Sequence, residues 1–437
     1  MTRLDDDKFF DPDMETMSRA DIEKLQEARI LKLVPYVYSR SALIREVWDE
    51  AGVKPEDIKS LADFKAKVPF IDKDRIRQFR DEHGDPSGGL VCVGPPHLRG
   101  VGFTSGTTGD PTPLPRSEYH VAIAGLKREL WHIGVRANDY FTYALFTFRE
   151  GLNADKWMDS GFRPVTVQHL PSEMPHLVKM SRELRPKAMF MLSTPLIIAL
   201  EKYEKDTGDD LKEAFSSYKG VVFGGEPMSP HFRAVVTGWG LEIFELSSLG
   251  DITTTMDCRA HDGMHTWEDI ALIEHLDPDG DAEMPDDSRG ELVVTALLDD
   301  VGPLIRFRTD DLVQFTRKPC SCGRTHGRLK PIGRKGDEML IEGRSILPID
   351  IWPLMEQFEE TRTGLFQMIR PQREADVLTL RVGYEESALK DSLEQLSARV
   401  ADVVSTALQV PVKIILATNQ SMLKDGPPNK IPRVTKQ

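Results

Sequence analysis

Between residues 140 and 246, short apolar runs alternate with segments whose apolar residues recur at helical spacing. Val165-Thr166-Val167, Ala188-Met189-Phe190-Met191 and Val221-Val222-Phe223 read as buried strands, each adjoining helical material. Strands separated by helices pair side by side in parallel, so the pattern predicts an α/β fold with mostly parallel sheets. Ligands in such sheets bind where strands run out into loops. Two glycine-rich segments fall at such positions, Phe103-Thr104-Ser105-Gly106-Thr107-Thr108-Gly109-Asp110-Pro111-Thr112 and Gly224-Gly225-Glu226-Pro227. In the first, Gly106 and Gly109 allow tight turns and a close approach to a bulky anion. Successive backbone N–H groups and the hydroxyls of Thr104, Ser105, Thr107 and Thr108 can surround a phosphate. Composition alone fits a polar surface loop equally well. No Gly-Lys-Ser/Thr follows, so this is not the common phosphate-loop motif.

The chain has 437 residues, enough for more than one domain. Its 56 basic and 70 acidic residues give a net charge of -14, which argues against nucleic acid or an anionic membrane as partner. Asp5-Asp6-Asp7 near the N-terminus is unlike the basic-then-apolar order of a secretory signal. The most apolar stretch, Ala188 to Leu200, is too short and too interrupted to span a bilayer. Four cysteines in so long a chain predict no disulfide scaffold, and the expected location is the cytoplasm.

Ser18 to about Glu50 reads as helical, with a capping sequence at Ser18, and Ser60 offers a second cap ahead of Leu61. Asp72 to Arg80 reads as a surface helix and Leu90-Val91-Cys92-Val93 as a short strand in which Cys92 is a packed thiol. Glu118 to Gly134 is helical in pattern, and Tyr140 to Phe148 is an aromatic-rich apolar run. From Trp267 the texture is strand-like, with runs at Ile270–Ile273, Glu291–Val294 and Leu304–Arg308. A break near Gly333-Arg334-Lys335-Gly336-Asp337 divides a large N-terminal domain, 1–334, from a smaller α/β domain, 335–437. The smaller domain is expected to hold helices at Asp350–Phe358 and Glu386–Leu408 and strands at Met339–Ile341, Val377–Val382 and Val412–Leu416.

The glycine–threonine run resembles the phosphate-binding loop of the adenylate-forming enzyme superfamily, typically Ser/Thr-Ser-Gly-Thr-Thr-Gly-x-Pro. Further segments match in the right order, and the likeness runs closest to the phenylacetate–coenzyme A ligase branch. It spans essentially the whole chain, including Met14–Ser18 and the Pro69-Phe70 turn. Gly225-Glu226-Pro227 resembles the segment that lies against adenine. Arg306-Phe307-Arg308-Thr309-Asp310-Asp311-Leu312 resembles Tyr-Arg-Thr-x-Asp-Leu, which makes Asp311 the residue holding the ribose hydroxyls. Gly333-Arg334 resembles the hinge, with one residue more than the family's usual spacing, so Gly336 and Asp337 are both candidate pivots. Asn429-Lys430-Ile431-Pro432-Arg433-Val434 resembles Gly-Lys-x-x-Arg-Val, which makes Lys430 the catalytic lysine. Where the family carries a magnesium-binding glutamate, this chain has Ser248, a poorer ligand for that ion. Asp251, or Glu245 from a shifted loop, would then supply the carboxylate, with Asp251 preferred.

Cys258, His265, Cys320 and Cys322 form a Cys3His set suited to tetrahedral structural zinc, with His261 and His326 in reserve. Taken separately, a Cys-x-Cys pair is more often unmetallated and a single cysteine more often core. Part of the phenylacetate ligase branch resembles this chain at all of these positions, which favours zinc.

The resemblance implies an AMP-forming acyl–coenzyme A ligase that uses ATP, Mg2+ and coenzyme A on an aromatic or arylacetic acid. It implies a C-terminal domain that rotates between the two half-reactions. Tyr143, Leu145, Phe146 and the Phe223–Leu246 region are expected to contribute to the acid pocket, a pattern that also fits ordinary core. Two other readings stay open at this point. One is an adenylate-forming enzyme with a different acceptor, by adenylyl or amide transfer, and the other a nucleotide-binding protein without turnover. The sequence leaves the oligomeric state open, a homodimer included.

Overall fold

The computed structural model of the protein describes residues 8–98, 100–103, 110, 112–116, 121–145, 161–226, 228–424 and 432–435. The chain divides into two compact units, Met1–His132 with Ser247–Pro331, and Ile133–Leu246 with Ile332–Gln437.

The first unit begins with helices, of which the starts at Ser18 and Ser60 were legible as caps and the start at Asp72 was not. Ser18, Ser60 and Asp72 each accept a hydrogen bond from the backbone N–H three residues on, opening helices Arg19–Arg40, Leu61–Lys67 and Lys73–His83. The continuous helix expected from Ser18 to Glu50 breaks at Ser41. That residue is extended, donates its hydroxyl to the Gly89 carbonyl at 2.8 Å, and caps a new helix, Ala42–Glu50. The strand expected at Leu90–Val93 does not form. Leu90 N–H turns back to the Ser87 carbonyl, Cys92 N–H reaches Val301, and Pro95 and Pro96 follow. Antiparallel strands complete this unit in the order Ala271–Leu276, Arg289–Ala296, Phe307–Thr316, Arg328–Arg334, Met264–His265, Thr253–Asp257. The strand expected from Leu304 starts only at Phe307, because Arg306 takes a left-handed φ of 42°. Trp48, Phe64, Ile76, Phe307 and Phe315 lie in one apolar core.

The second unit holds a parallel sheet in the order Arg163–Gln168, Tyr140–Leu145, Ala188–Leu192, Gly220–Gly224, Ile243–Leu249. The strand expected to be buried at Val165–Val167 is instead the edge of the sheet, where Val167 alone is buried. Helices Met174–Leu184, Thr194–Thr207 and Pro230–Gly238 bury Leu177, Leu196, Ile197 and Phe232 in a core with Phe223. Its C-terminal portion begins at Ile332, ahead of the break read at Gly333–Asp337. There Leu378–Tyr384 pairs with Phe366–Ile369 on one side and Val412–Thr418 on the other, and Val434–Thr435 pairs with Phe366–Ile369. The helix expected from Glu386 starts at Leu393, where Ser392 and Gln395 form a reciprocal capping box; Glu386–Ala388 is a separate short turn. No described helix is long and apolar enough to cross a membrane.

Candidate nucleotide site and thiol cluster

Strand Gly100–Phe103 ends where the sequence places it and pairs antiparallel with Pro113–Arg116, Phe103 opposite Pro113. Thr104, Ser105, Gly106, Thr107, Thr108 and Gly109 lie outside the described residues. On the far side of the loop, Arg80 donates to both carboxylate oxygens of Asp110 at 2.8 and 3.0 Å. Those bonds hold the Asp110 carboxyl below its ordinary range.

The second glycine-rich segment terminates a fully buried strand, Gly220–Gly224. Gly225 turns the chain with φ 105°, a conformation that costs a side chain heavily, and delivers Glu226 beneath the surface. Pro227 lies outside the described residues. Asp311 belongs to the first unit and owes its placement to a bulge. Val293 pairs with Arg308 and Glu291 with Leu312, so Leu292 faces Thr309, Asp310 and Asp311 together. Asp310 supplies the kink with φ 64°. The Thr309 hydroxyl accepts from Asp311 N–H at 3.0 Å and donates to the Leu292 carbonyl at 2.8 Å. This bulge lifts Asp311 out of the regular ladder. Periodicity carries no signal for it, although the doubled aspartate could have prompted the thought.

Ser248 and Asp251 share one exposed tight turn in the first unit, with Asp251 N–H donating to Ser248 Oγ at 3.1 Å. Gly250 and Asp251 both adopt positive φ, 56° and 63°. The Asp251 backbone is therefore next to Ser248, the residue that stands where the resemblance expects a glutamate. Glu245, the other candidate, is ion-paired with Arg233 in the second unit. Arg334 ends strand Arg328–Arg334, and a short turn over Lys335–Asp337 follows. Lys430 and Phe146 lie outside the described residues. Tyr143 packs against Phe190 on the neighbouring strand, ring centroids 5.6 Å apart. Arg433, which the sequence reading quoted without giving it a role, forms a buried ion pair with Glu226.

The four candidate metal ligands meet. The donor atoms of Cys258, His265, Cys320 and Cys322 all lie within 4.8 Å of one another. Cys258 Sγ is 3.6 Å from Cys320 Sγ, and Cys322 Sγ is 3.2 Å from His265 Nε2. Zinc–sulfur bonds of about 2.3 Å at tetrahedral angles imply sulfurs about 3.8 Å apart, close to the Cys258–Cys320 spacing, so the donor set suits a tetrahedral zinc. The remaining His265 nitrogen, Nδ1, faces the His326 carbonyl at 3.3 Å, the kind of outer contact that orients a ligating imidazole. Both reserve histidines are set aside. His326 uses its two nitrogens on Glu268 N–H and the Met14 carbonyl, and His261 faces Asp257. The N-terminal segment ties this loop down. Arg324 Nε donates to Glu15 at 2.7 Å with both side chains buried, and the Thr325 hydroxyl donates to the Met17 carbonyl.

Beside this network, Glu129 is buried completely and accepts from the Thr254 hydroxyl at 2.7 Å. Its other oxygen has no hydrogen-bond partner among the described residues. Burial pushes its pKa from 4.5 up to about 7. A raised folded-state pKa gives stability that is complete below pH 4.5 and declines as pH rises through 7. Glu129→Gln removes that decline, so wild type should lose on the order of 3 kcal/mol relative to the variant across this window. Urea unfolding of both proteins at pH 4.5 and 8 checks it: a difference independent of pH would contradict the assignment.

The mixed α/β architecture with its large sheet is that of an adenylate-forming coenzyme A ligase. Solved structures bear this out. The fold matches 2-hydroxyisobutyryl-CoA ligase in the postadenylation state, in complex with R3-HIB-AMP, with a TM-score of 0.84. That match has 25% identity and covers 100% of this chain and 94% of the other. The same ligase in an open conformation with 2-HIB-AMP and CoA gives a TM-score of 0.70 at 25% identity, covering 99% and 95%. Among curated proteins, the phenylacetate–coenzyme A ligase of Thermus thermophilus is 28% identical over 97% of each chain. That of Aromatoleum evansii is 27% identical over 92% of this chain and 91% of its own. No protein-family model matches the chain. The resemblance to the adenylate-forming superfamily, in its phenylacetate–coenzyme A ligase-like branch, thus holds across nearly the whole length. The activity class these relatives support is an ATP-dependent acid–coenzyme A ligase.

Proposed function

We propose that the protein joins an aromatic or arylacetic acid to coenzyme A through an acyl-adenylate. The observation that carries this is the match to phenylacetate–coenzyme A ligases over 97% of both chains. A carboxylate resists thiols because its oxygen is a poor leaving group. In the first half-reaction a carboxylate oxygen attacks the α-phosphorus of ATP, and the bond to the β-phosphate oxygen breaks to release pyrophosphate. In the second, the coenzyme A sulfur bonds to the acyl carbon, AMP departs with the shared oxygen, and the thiol proton passes to solvent.

In this reading Thr104–Gly109 cradles the phosphates, Gly225-Glu226-Pro227 borders the adenine, and Asp311 accepts from the ribose hydroxyls. Lys430 stabilises the charge that builds at the α-phosphate. Residues 335–437 rotate about the segment from Arg334 to Asp337. Asp251, next to Ser248 at the nucleotide, would hold Mg2+, which supplies charge neutralisation at the phosphates. The Cys258, His265, Cys320 and Cys322 set would hold a structural zinc. The likeness to phenylacetate–coenzyme A ligases supports an aromatic acid, whereas the likeness to 2-hydroxyisobutyryl-CoA ligase keeps a short hydroxy acid in view.

AMP release with ATP and coenzyme A, measured across benzoate, phenylacetate, indoleacetate, 2-hydroxyisobutyrate and short fatty acids, decides the substrate. The aryl acids should give the highest kcat/KM. Preference for 2-hydroxyisobutyrate would overturn the aryl assignment, and silence across the panel would favour a binding protein without turnover.

A further inference from the structure

The Glu226–Arg433 pair joins residues 207 positions apart. Arg433 Nε and Nη2 donate to one oxygen of Glu226 at 3.1 and 2.9 Å, and Nη1 donates to the Gly364 carbonyl at 2.7 Å. The guanidinium lies 3.8 Å from the centre of the Trp352 ring, with Phe366 beyond it at 5.0 Å. The side chains are 7% and 2% exposed, and the second Glu226 oxygen, though buried, has no partner among the described residues. Such a pair is a poor way to add stability, because the desolvation of both ions roughly cancels their attraction. It is well suited to a contact that must open. When the two sides separate, each ion recovers its hydration, so the closed and open states stay close in free energy. Removing one partner penalises the closed state alone, since the other charge remains buried and unpaired.

The two ends of the pair sit at telling places. Glu226 follows the turn at the end of the parallel strand Gly220–Gly224, and Arg433 directly precedes the last strand, Val434–Thr435. In the chain Arg433 comes three residues after Lys430. We propose that Glu226–Arg433 is a latch, closed while the acid is adenylated and opened for thioester formation, with Arg433 as a positioning residue for the first half-reaction. This rests on the ligase reading, in which residues 335–437 move between half-reactions.

The test separates the two halves on Arg433→Met, with phenylacetate as the probe acid. Pyrophosphate release in a single turnover without coenzyme A reports the first half. Thioester formation from supplied phenylacetyl-adenylate and coenzyme A reports the second. Arg433→Met should slow the first by about tenfold or more and leave the second within about threefold. Arg433→Lys, which keeps the charge but loses the fork, should fall between and serves if the methionine variant folds poorly. The double variant Glu226→Gln/Arg433→Met should be no slower in the first half than the slower single variant, the non-additivity of a shared contact. Equal slowing of both halves, no slowing of the first, or multiplying defects would overturn the latch while leaving the ligase reading intact. A wild-type protein that forms no adenylate would overturn both.

Discussion

Lys430→Ala is expected to reduce acyl-adenylate formation by about 10²- to 10³-fold, the loss typical when a charge-stabilising group is removed from a transition state. Carboxylate attack concentrates negative charge on oxygens around the α-phosphorus, and a positioned ammonium is worth most at that moment. The same group has little to do once the adenylate exists, because the thiol attacks carbon and the phosphate departs already ionised. Thioester formation from supplied adenylate should therefore survive within about an order of magnitude. Pyrophosphate exchange for the first half, and direct thioester assay for the second, check the asymmetry. Equal loss in both would place Lys430 in general binding rather than in adenylation.

The second large effect concerns the thiol cluster. Cys322→Ser should lower bound zinc from about one ion per chain to near none, measured by plasma emission after gel filtration. Three sulfurs and an imidazole brought together with no metal would be a costly arrangement, since packed thiols compete for protons. Cys258 holds the Cys322 thiol low while its own is pushed up. The ion would link the end of strand Thr253–Asp257, His265, and the loop between Phe307–Thr316 and Arg328–Arg334. Its loss should thus lower the melting temperature by several degrees as well. Cys92→Ser is the control. Cys92 is a buried thiol, pushed up to about 12 by its surroundings, burial first, and its loss should leave the zinc content unchanged. Wild-type protein purified without metal, yet equally heat-stable, would contradict the zinc assignment.

What could be read in advance follows from how local each feature is. Caps at Ser18 and Ser60 and the buried parallel strands announce themselves within a few residues, through one hydroxyl or one apolar run. The break at Ser41 could not be read that way, because the hydroxyl that opens it bonds to Gly89, far along the chain. Leu90–Val93 has strand composition, but the Ser87 turn and the following prolines leave it no ladder to join. Cys258, His265, Cys320 and Cys322 were found by residue type and resemblance, whereas the choice against His326 needed its partners, Met14 and Glu268. Asp311 was named by motif, but the bulge that presents it depends on the register of a neighbouring strand. Arg433 stood inside a quoted motif, and its partner Glu226 inside another. Only the fold joins them.

The central claim is that a carboxylate is activated by AMP and passed to a thiol. It is tested most directly by following AMP and thioester together, with phenylacetate and ATP, with and without coenzyme A. The account predicts slow AMP release without the thiol and fast release with it, one thioester formed for each AMP. AMP release that is indifferent to coenzyme A, or that rises with an amine and not with the thiol, would contradict it.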